Sequence, residues 1–508
     1  MAAIPAIELQ GIQKSFGTVH AVRGVSLRIE KGAITGIVGE NGAGKSTLMS
    51  ILYGLYNADA GEIRVEGRAV RMENPRDAIA HGIGMVHQHF MLVGTFTVLE
   101  NLVLGAEGGP LLAGGLAAAR AELARLAREY GLTVDPDALV ADLSVGEQQR
   151  VEILKVLFRG ARILILDEPS AVLTPQETDQ LFRILAALKQ RGVTVVLITH
   201  KLREIMAVTD HVYVMRQGEI VADRRTADTS PEELAELMVG RKVLMQLDKA
   251  PKQPGEVLLQ AERLTLIDDR GVRLVDDVDL ALRAGEIVGI AGVSGNGQTE
   301  LLQVLSGIRA PTGGKLVVRG RTIDPRHPTD PAEMRDLGVA HVPEDRLRQG
   351  MVAAFQASET SILGYQELEP FCHHYLMDGP AVGAHCAQLM ERFDVRPRSP
   401  GLRSSSFSGG NQQKLVLARE MAREPKVLLV GQPTRGVDIG AIEFIHRELL
   451  KSRDQGCAVL VISVELDEIL ALADRILVMF AGRIVGEVPA GRADERALGL
   501  MMAGAGAA

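Results

Sequence analysis

Gly39-Glu40-Asn41-Gly42-Ala43-Gly44-Lys45-Ser46 is the stretch on which the fold turns. It fits the spacing GxxxxGK[ST], follows an apolar run at residues 34–38 and precedes a helical run at 47–52. That is the strand–loop–helix setting in which a glycine-rich loop wraps phosphates. Glycines let backbone N–H groups converge on an anion, and the helix start adds partial positive charge. The expected cradle therefore runs from Gly39 through Glu40, Asn41, Gly42, Ala43, Gly44, Lys45 and Ser46 to Thr47. Lys45 is placed to reach the β- and γ-phosphates, and the Ser46 hydroxyl to bind Mg²⁺. The bland alternative is a tight strand–helix turn with an incidental lysine.

Working outward, residues 163–168 read Ile-Leu-Ile-Leu-Asp-Glu, an apolar strand ending in two carboxylates. Asp167 suits Mg²⁺, and Glu168 suits the general base that polarises an attacking water. Two solvated acids at a strand end would be unremarked without the loop before them. Gln88 and His200 also stand at apparent strand ends. Gln88 is a candidate for sensing Mg²⁺ and the water, His200 for bonding the γ-phosphate. Either alone is more often structural; their order after the loop favours function. Phe16 is a candidate for stacking on a base, with a core phenylalanine as the rival.

The chain is written twice. Residues 25–39 match 278–292, and Leu143-Ser144-Val145-Gly146-Glu147-Gln148-Gln149 matches Phe407-Ser408-Gly409-Gly410-Asn411-Gln412-Gln413. A constant spacing of 264 residues separates Ser144 from Ser408, Pro169 from Pro433 and His200 from Val464. Duplication of a domain keeps a spacing; chance similarity does not. The expected organisation is a first domain over 1–243, a linker rich in proline and charge over 244–256, a second domain over 257–503 and a flexible tail at 504–508. Short apolar runs alternate with helical spacing, as at 178–190, which predicts α/β domains with mainly parallel sheets. Residues 117–129 are expected to form an amphipathic surface helix, with membrane binding a lesser alternative.

Loop, glutamine, Leu-Ser-x-Gly-Glu-Gln-Gln, Asp-Glu-Pro and histidine, in that order, resemble the ATP-binding cassette of ABC transporters, once in each half. The resemblance implies two tandem α/β P-loop domains, each with a helical subdomain carrying the signature. In that family cassettes meet head to tail, with ATP between one P-loop and the opposite signature. It therefore implies that ATP and Mg²⁺ at the first P-loop would face Ser408, Gly409, Gly410 and Asp438.

The second half departs from the pattern. In its loop (Gly292, Gly295, Gly297, Gln298, Thr299) glutamine replaces lysine. Gly431 and Gln432 replace Asp-Glu, Glu344 replaces glutamine and Val464 replaces histidine. Each lost charge-assisted contact is worth about 1.5–3 kcal/mol, and removing a general base loses about 10²–10⁴ in rate. This degenerate loop would face Ser144, whose signature valine interrupts, and Thr174, where aspartate is expected. The intact parts thus sort into one composite site and the damaged parts into the other, which predicts one hydrolytic site.

The remaining bounds are compositional. The 508 residues are 46% hydrophobic and 24% charged, a globular balance with room for several cores. A net charge of -8 argues against a general nucleic-acid binder. No stretch of about 18 apolar residues predicts a membrane span. The start shows no export signal, and three cysteines without a CxxC pair read as reduced thiols. A transport ATPase without a span must dock on others. The resemblance implies two integral-membrane permease subunits, contacted through 89–105 and 346–364, and through them an extracytoplasmic solute-binding lipoprotein. It places the chain on the cytoplasmic face of the membrane, without direct contact with the solute. The sequence is similar to sugar importers of the ribose and galactose kind. Residues 87–93, 431–433 and 441–446 resemble the nucleoside-uptake branch more, so nucleosides are the expected cargo and a monosaccharide the alternative. A soluble tandem cassette acting on ribosomes or DNA is the rival class, opposed by the short linker, the damaged second site and the lack of a cysteine insertion. A non-hydrolysing scaffold is opposed by Lys45, Glu168 and His200.

Overall fold

The computed structural model describes the chain except residues 1–3, 18, 88–89, 106–111, 171–172, 174, 243–248, 294, 438, 503 and 505–508. Three of the candidate residues, Gln88, Thr174 and Asp438, lie outside the described residues. The chain divides into two compact units, Met1–Val243 and Leu244–Ala508.

In the first unit a six-stranded sheet runs in the order Glu219–Arg225, His211–Arg216, Ile34–Val38, Thr194–Thr199, Ile163–Asp167, Ile83–Val86. The inner strands pair in parallel, and Glu219–Arg225 closes one edge antiparallel. The strands Ile34–Val38, Ile163–Asp167 and Thr194–Thr199 are buried at every position. Burial on both faces is why they read as unbroken apolar runs rather than alternations. The second unit repeats this sheet as Val339–Val342, Val427–Gly431, Ala458–Ser463, Ile287–Ala291, Arg475–Phe480, Arg483–Pro489.

Each unit also carries a four-stranded antiparallel sheet that the sequence pattern did not announce. It comprises Val19–Ile29, Ile7–Phe16, Ala60–Val65 and Arg68–Val70 in the first unit. In the second it comprises Arg273–Arg283, Val257–Ile267, Gly313–Val318 and Arg321–Ile323. The two sheets of the first unit close over one core, in which Ile7, Leu9 and Leu27 meet Ile37, Ile165 and Ile198. The helix Lys45–Leu52 adds Leu48, Met49 and Leu52 to that core, each worth about 1.5–3 kcal/mol of burial. Its first turn is thereby pinned at the ends of the parallel strands, where α/β sheets bind ligands.

A helical group accompanies each sheet pair. In the first unit it comprises Val98–Val103, Leu112–Tyr130 and Val145–Phe158, which pack on one another. The amphipathic segment expected at 117–129 lies inside Leu112–Tyr130 and buries Ala119, Leu123 and Leu126, a helical stripe turned inward. The second unit's counterparts are Ala357–Thr360, Gly379–Arg392 and Gly409–Met421, with a small added hairpin, Cys372–His373 and Leu376–Met377. Among the described residues no helix is long and apolar enough to cross a membrane.

Candidate nucleotide sites

The first loop is shaped by its glycines. Gly44, the residue before the helix Lys45–Leu52, has φ 100°, and a Cβ there would collide with the Ala21 carbonyl. Only glycine meets both demands. The helix end has no side-chain cap and no acidic residue in its first turn. Its N–H groups are left for an anion to satisfy.

Lys45 folds over this loop. Its Nζ donates to Gly39 O at 2.7 Å and Glu40 O at 3.0 Å, and the side chain is buried. Burial lowers its pKa, while the charges of Glu168, Asp167 and Glu40 oppose the shift. The Ser46 hydroxyl donates to Asp167 Oδ1 at 3.4 Å. Asp167 is raised by burial, with the Ser46 bond and Lys45 working against it. A hydroxyl and a carboxylate side by side are the hard oxygen donors that Mg²⁺ takes, so these residues fit the ion. Glu168 sits just beyond the strand with φ 48°, a strained conformation for a non-glycine residue. Burial pushes its carboxyl up, but the His200 hydrogen bond and the charges of His200 and Lys45 outweigh this and hold it below the usual range. His200 Nδ1 lies 2.9 Å from Glu168 Oε1.

The structure therefore brings Lys45, Ser46, Asp167, Glu168 and His200 together. Asn41 and Gly42 stay exposed at the loop tip, and Thr47 is half-buried on the helix. Phe16 is 44% exposed at its strand end, edge-on to Tyr56 at 5.2 Å and under the Lys14 ammonium. Tyr56 was missed in the sequence, although an exposed tyrosine soon after a P-loop helix was visible. Glu204 was missed as well. It is buried, accepts from the Ser170 hydroxyl and so ties the segment after Glu168 to the helix Leu202–Val208.

An ABC transporter family model matches residues 22–171 and 275–435. The chain belongs to the ABC transporter family. Each cassette holds one of those matches and one of the two sheet pairs. The chain is 46% identical to the nucleoside import ATP-binding protein NupA of Lactococcus lactis subsp. cremoris, over 99% of both chains. It is 45% identical to the guanosine import ATP-binding protein NupO of Bacillus subtilis, over 98% of this chain and 97% of that one. It is also 45% identical to the glucose import ATP-binding protein TsgD13 of Haloferax volcanii, over 100% of this chain and 97% of that one. As an ABC ATPase the chain binds and hydrolyses ATP.

The second cassette keeps the loop and changes what hangs over it. Gly297 has φ 96° at the same helix start, and a Cβ there would strike the Leu274 carbonyl. Gln298 is 4% exposed and lies over Gly292, with its Nε2 buried and without a hydrogen-bond partner. The Thr299 hydroxyl donates to Glu344 Oε2 at 2.8 Å. Burial raises the Glu344 carboxyl, against that bond and the Arg435 charge. Gln432 copies the backbone of Glu168, with φ 47° and its N–H on Ile462 O at 2.7 Å. Its Oε1 accepts from Val464 N at 3.3 Å.

The two signature helices differ at their first turns. Ser144 forms a capping box with Glu147, and Gly146 N donates to Glu177 Oε1 at 3.2 Å. Carboxylates already meet that helix end. Ser408 makes no capping bond to its helix; its Oγ accepts from Asn411 Nδ2 at 2.8 Å, and neutral Asn411 stands where Glu147 does. The Arg346 guanidinium reaches the edge of Gly409. The second signature end is uncapped and close to a positive charge, while the first is capped and close to negative ones.

Proposed function

We propose that the chain is the ATP-hydrolysing subunit of a nucleoside importer, with one hydrolytic site. That site is the one at the first P-loop. The Glu168–His200 pair beside Lys45 and Asp167 carries the proposal: an ionised carboxylate held at 2.9 Å by a histidine can take a proton from water. Gln432, whose amide cannot do this, occupies the matching place in the second cassette. The signature ends differ in the same sense: a γ-phosphate is repelled near Glu147 and Glu177 and favoured near Ser408 and Arg346.

In this reading the N–H groups at the start of Lys45–Leu52 hold the phosphates, Lys45 leaves the loop carbonyls for phosphate oxygens, and Ser46 and Asp167 hold Mg²⁺. Gln88 and Asp438 join the site, and Phe16 stacks on the base. Mg²⁺, when bound, neutralises charge between the β- and γ-phosphates. Glu168 receives the proton of the attacking water, and His200 orients Glu168 and the transferring group.

Nucleosides as cargo rest on the full-length likeness to two nucleoside import proteins; the likeness to a glucose import protein favours a monosaccharide as the second reading. Two membrane permeases would bind the cassettes at the cytoplasmic face and connect them to a solute-binding lipoprotein. The first cassette offers a cavity of about 270 Å³ beside the helical group, lined by Tyr53, His87, Met91, Asn101, Glu152 and Arg159. Lys155 clamps its rim by donating to Met91 O at 2.7 Å. In the second cassette Arg419, at the matching position, donates to Gly350 O at 2.8 Å.

The test is ATPase activity of the purified chain and uptake of labelled nucleosides in cells with the cognate permeases. Glu168→Gln is expected to remove about 10²-fold or more of the hydrolysis and all uptake, and Gln432→Ala to change both by less than about twofold. Substantial hydrolysis by Glu168→Gln would sink the single-site proposal. Uptake of glucose or ribose in preference to nucleosides would overturn the cargo.

A further inference from the structure

Where the first cassette runs the long helix Leu112–Tyr130, the second has the shorter helix Gly379–Arg392, preceded by the hairpin Cys372–His373 and Leu376–Met377. The register, Cys372 to Met377 and His373 to Leu376, leaves a turn made of His374 and Tyr375. Both have positive φ, 51° and 67°. Such a turn ordinarily takes asparagine and glycine, because a side chain at positive φ strains the backbone. The tip is also apolar and bare: Tyr375, Leu376 and Met377 are 101%, 76% and 57% exposed. At that exposure the Tyr375 ring gains no burial in return for the strain.

The base of the hairpin is fixed. Phe371 is buried with Ile362 and Val382, lies 4.8 Å from the His385 ring and has the Arg423 guanidinium over its face at 5.5 Å. Asp378 closes the other side. Its N–H donates to Phe371 O at 2.8 Å, and its carboxylate caps the helix Gly379–Arg392 by accepting from Ala381 N at 2.9 Å. The tip is therefore rigidly mounted, and a preorganised surface loses little entropy on binding. The ground behind it differs between the cassettes. Lys155, Val156 and Arg159 line the cavity of the first. At the constant spacing of 264 their counterparts are Arg419, Glu420 and Arg423. There the chain's own Tyr365 moves in: its hydroxyl donates to Glu420 Oε2 at 2.9 Å, and its ring lies against the Arg335 and Arg423 guanidinium groups. The hairpin projects from the segment that supplies this tyrosine.

Charge selects the partner. Between 366 and 378 stand Glu367, Glu369 and Asp378, with no lysine or arginine. An anionic leaflet repels such a segment, whereas the cytoplasmic loops of membrane proteins carry an excess of lysine and arginine. A tyrosine-led apolar tip flanked by carboxylates fits an apolar pocket with a basic rim. We propose that the 372–377 hairpin is a docking prong that inserts into the basic cytoplasmic face of an integral-membrane permease subunit. The second cassette thus presents side chains to its permease where the first offers a cavity. This deepens the importer reading and rests on it, but not on the identity of the cargo.

The test measures binding of the full-length chain to proteoliposomes that hold the cognate permease pair. Tyr375→Gly suits the left-handed backbone and removes the ring. It is expected to unfold at the same or a higher temperature, yet to bind about tenfold or more weakly. His374→Gly relieves the same turn, keeps the tip and is expected to bind as the wild type does. ATPase activity of the isolated chain is expected to be unchanged in both variants. Undiminished binding by Tyr375→Gly overturns the proposal, as does equal weakening by His374→Gly. Wild-type binding to protein-free vesicles of phosphatidylglycerol and phosphatidylethanolamine that Tyr375→Gly loses would assign the tip to lipid and overturn it too. A wild type that ignores the permease proteoliposomes removes the importer reading and this one with it; binding that survives Tyr375→Gly removes this one alone.

Discussion

Glu168 and Gln432 show how one atom changes a residue's work. Both take a left-handed backbone after a buried strand, and both donate their N–H to the neighbouring strand. The fold imposes that conformation in both cassettes, whichever side chain stands there. What differs is the end of the side chain: a carboxylate on His200 or an amide facing Val464 N. Glu204 shows the cost of charge beneath such a site. Burial raises its carboxyl, against bonds from Ser170 and Thr199 and the Lys201 charge, and one carboxylate oxygen has no partner. A group raised in the folded state binds its proton more tightly folded than unfolded. Its contribution is intact below the unfolded pKa, about 4.3, and is lost as pH rises through the folded value. Glu204→Gln removes that loss. Calorimetry of the full chain should show a higher unfolding midpoint for the variant at about pH 8, with the difference shrinking toward about pH 4. A variant less stable at the higher pH would mean that the carboxylate is fully compensated.

Helix starts carry the next level of difference. Lys45–Leu52, Gln298–Leu305 and Gly409–Met421 lack side-chain caps, whereas Val145–Phe158 is closed by Ser144 and Glu147. An uncapped start leaves N–H groups for a phosphate; a capped one spends them on its own chain. The two signature serines should therefore respond in opposite ways. Ser144→Ala is expected to lower stability by about 1 kcal/mol with little change in hydrolysis. Ser408→Ala is expected to leave stability within about 0.5 kcal/mol and to slow hydrolysis about tenfold or more. Thermal unfolding and steady-state ATPase assays on the same two proteins decide it. Both signatures were legible by their spacing, and the spacing of Ser144 and Glu147 marks the capped start; what stayed hidden was the second carboxylate there, because Glu177 reaches Gly146 from another helix. The antiparallel sheets escaped for a similar reason. Their strands alternate between buried and exposed positions with bulges, as between Leu9 and Ile12, which blur the period of two.

Over the whole chain, the segment joining the cassettes is attached to the second unit. Lys249 pairs with Asp474 at 2.8 Å, and Lys252 caps the last carbonyls of Ile439–Asp454 at Arg453 O and Asp454 O. Arg453, fully buried, bonds Ala250 O at 3.0 Å and pairs with Asp474 at 3.2 Å and with Asp454. Proline and charge predicted an exposed linker, and residues 250–256 are exposed, but these three basic groups anchor them at one end. Arg453→Met leaves Asp474 and the Ala250 carbonyl short of a partner. It should destabilise the second unit by about 3 kcal/mol and speed proteolysis within 249–256, while the unfolding of the first unit is unchanged. Limited proteolysis with mass spectrometry and calorimetry measure both; equal destabilisation of the two units would contradict the assignment of the anchor to the second.

The amino-acid sequence alone determined the parts that depend on neighbours in the chain. The glycine spacing makes the two loops, unbroken apolar runs make the buried parallel strands, and a constant offset reveals the duplication. Tertiary structure decided what depends on residues far apart in the chain. It chose which carboxylate stands beside each loop hydroxyl, Asp167 in one cassette and Glu344 in the other, and left Gln298 without an acceptor. The physical reason is that a dense interior fills a vacancy with whatever side chain can reach it. The room left by Gly431 is closed by Glu344, a residue from a different strand end, whose approach no local pattern encodes.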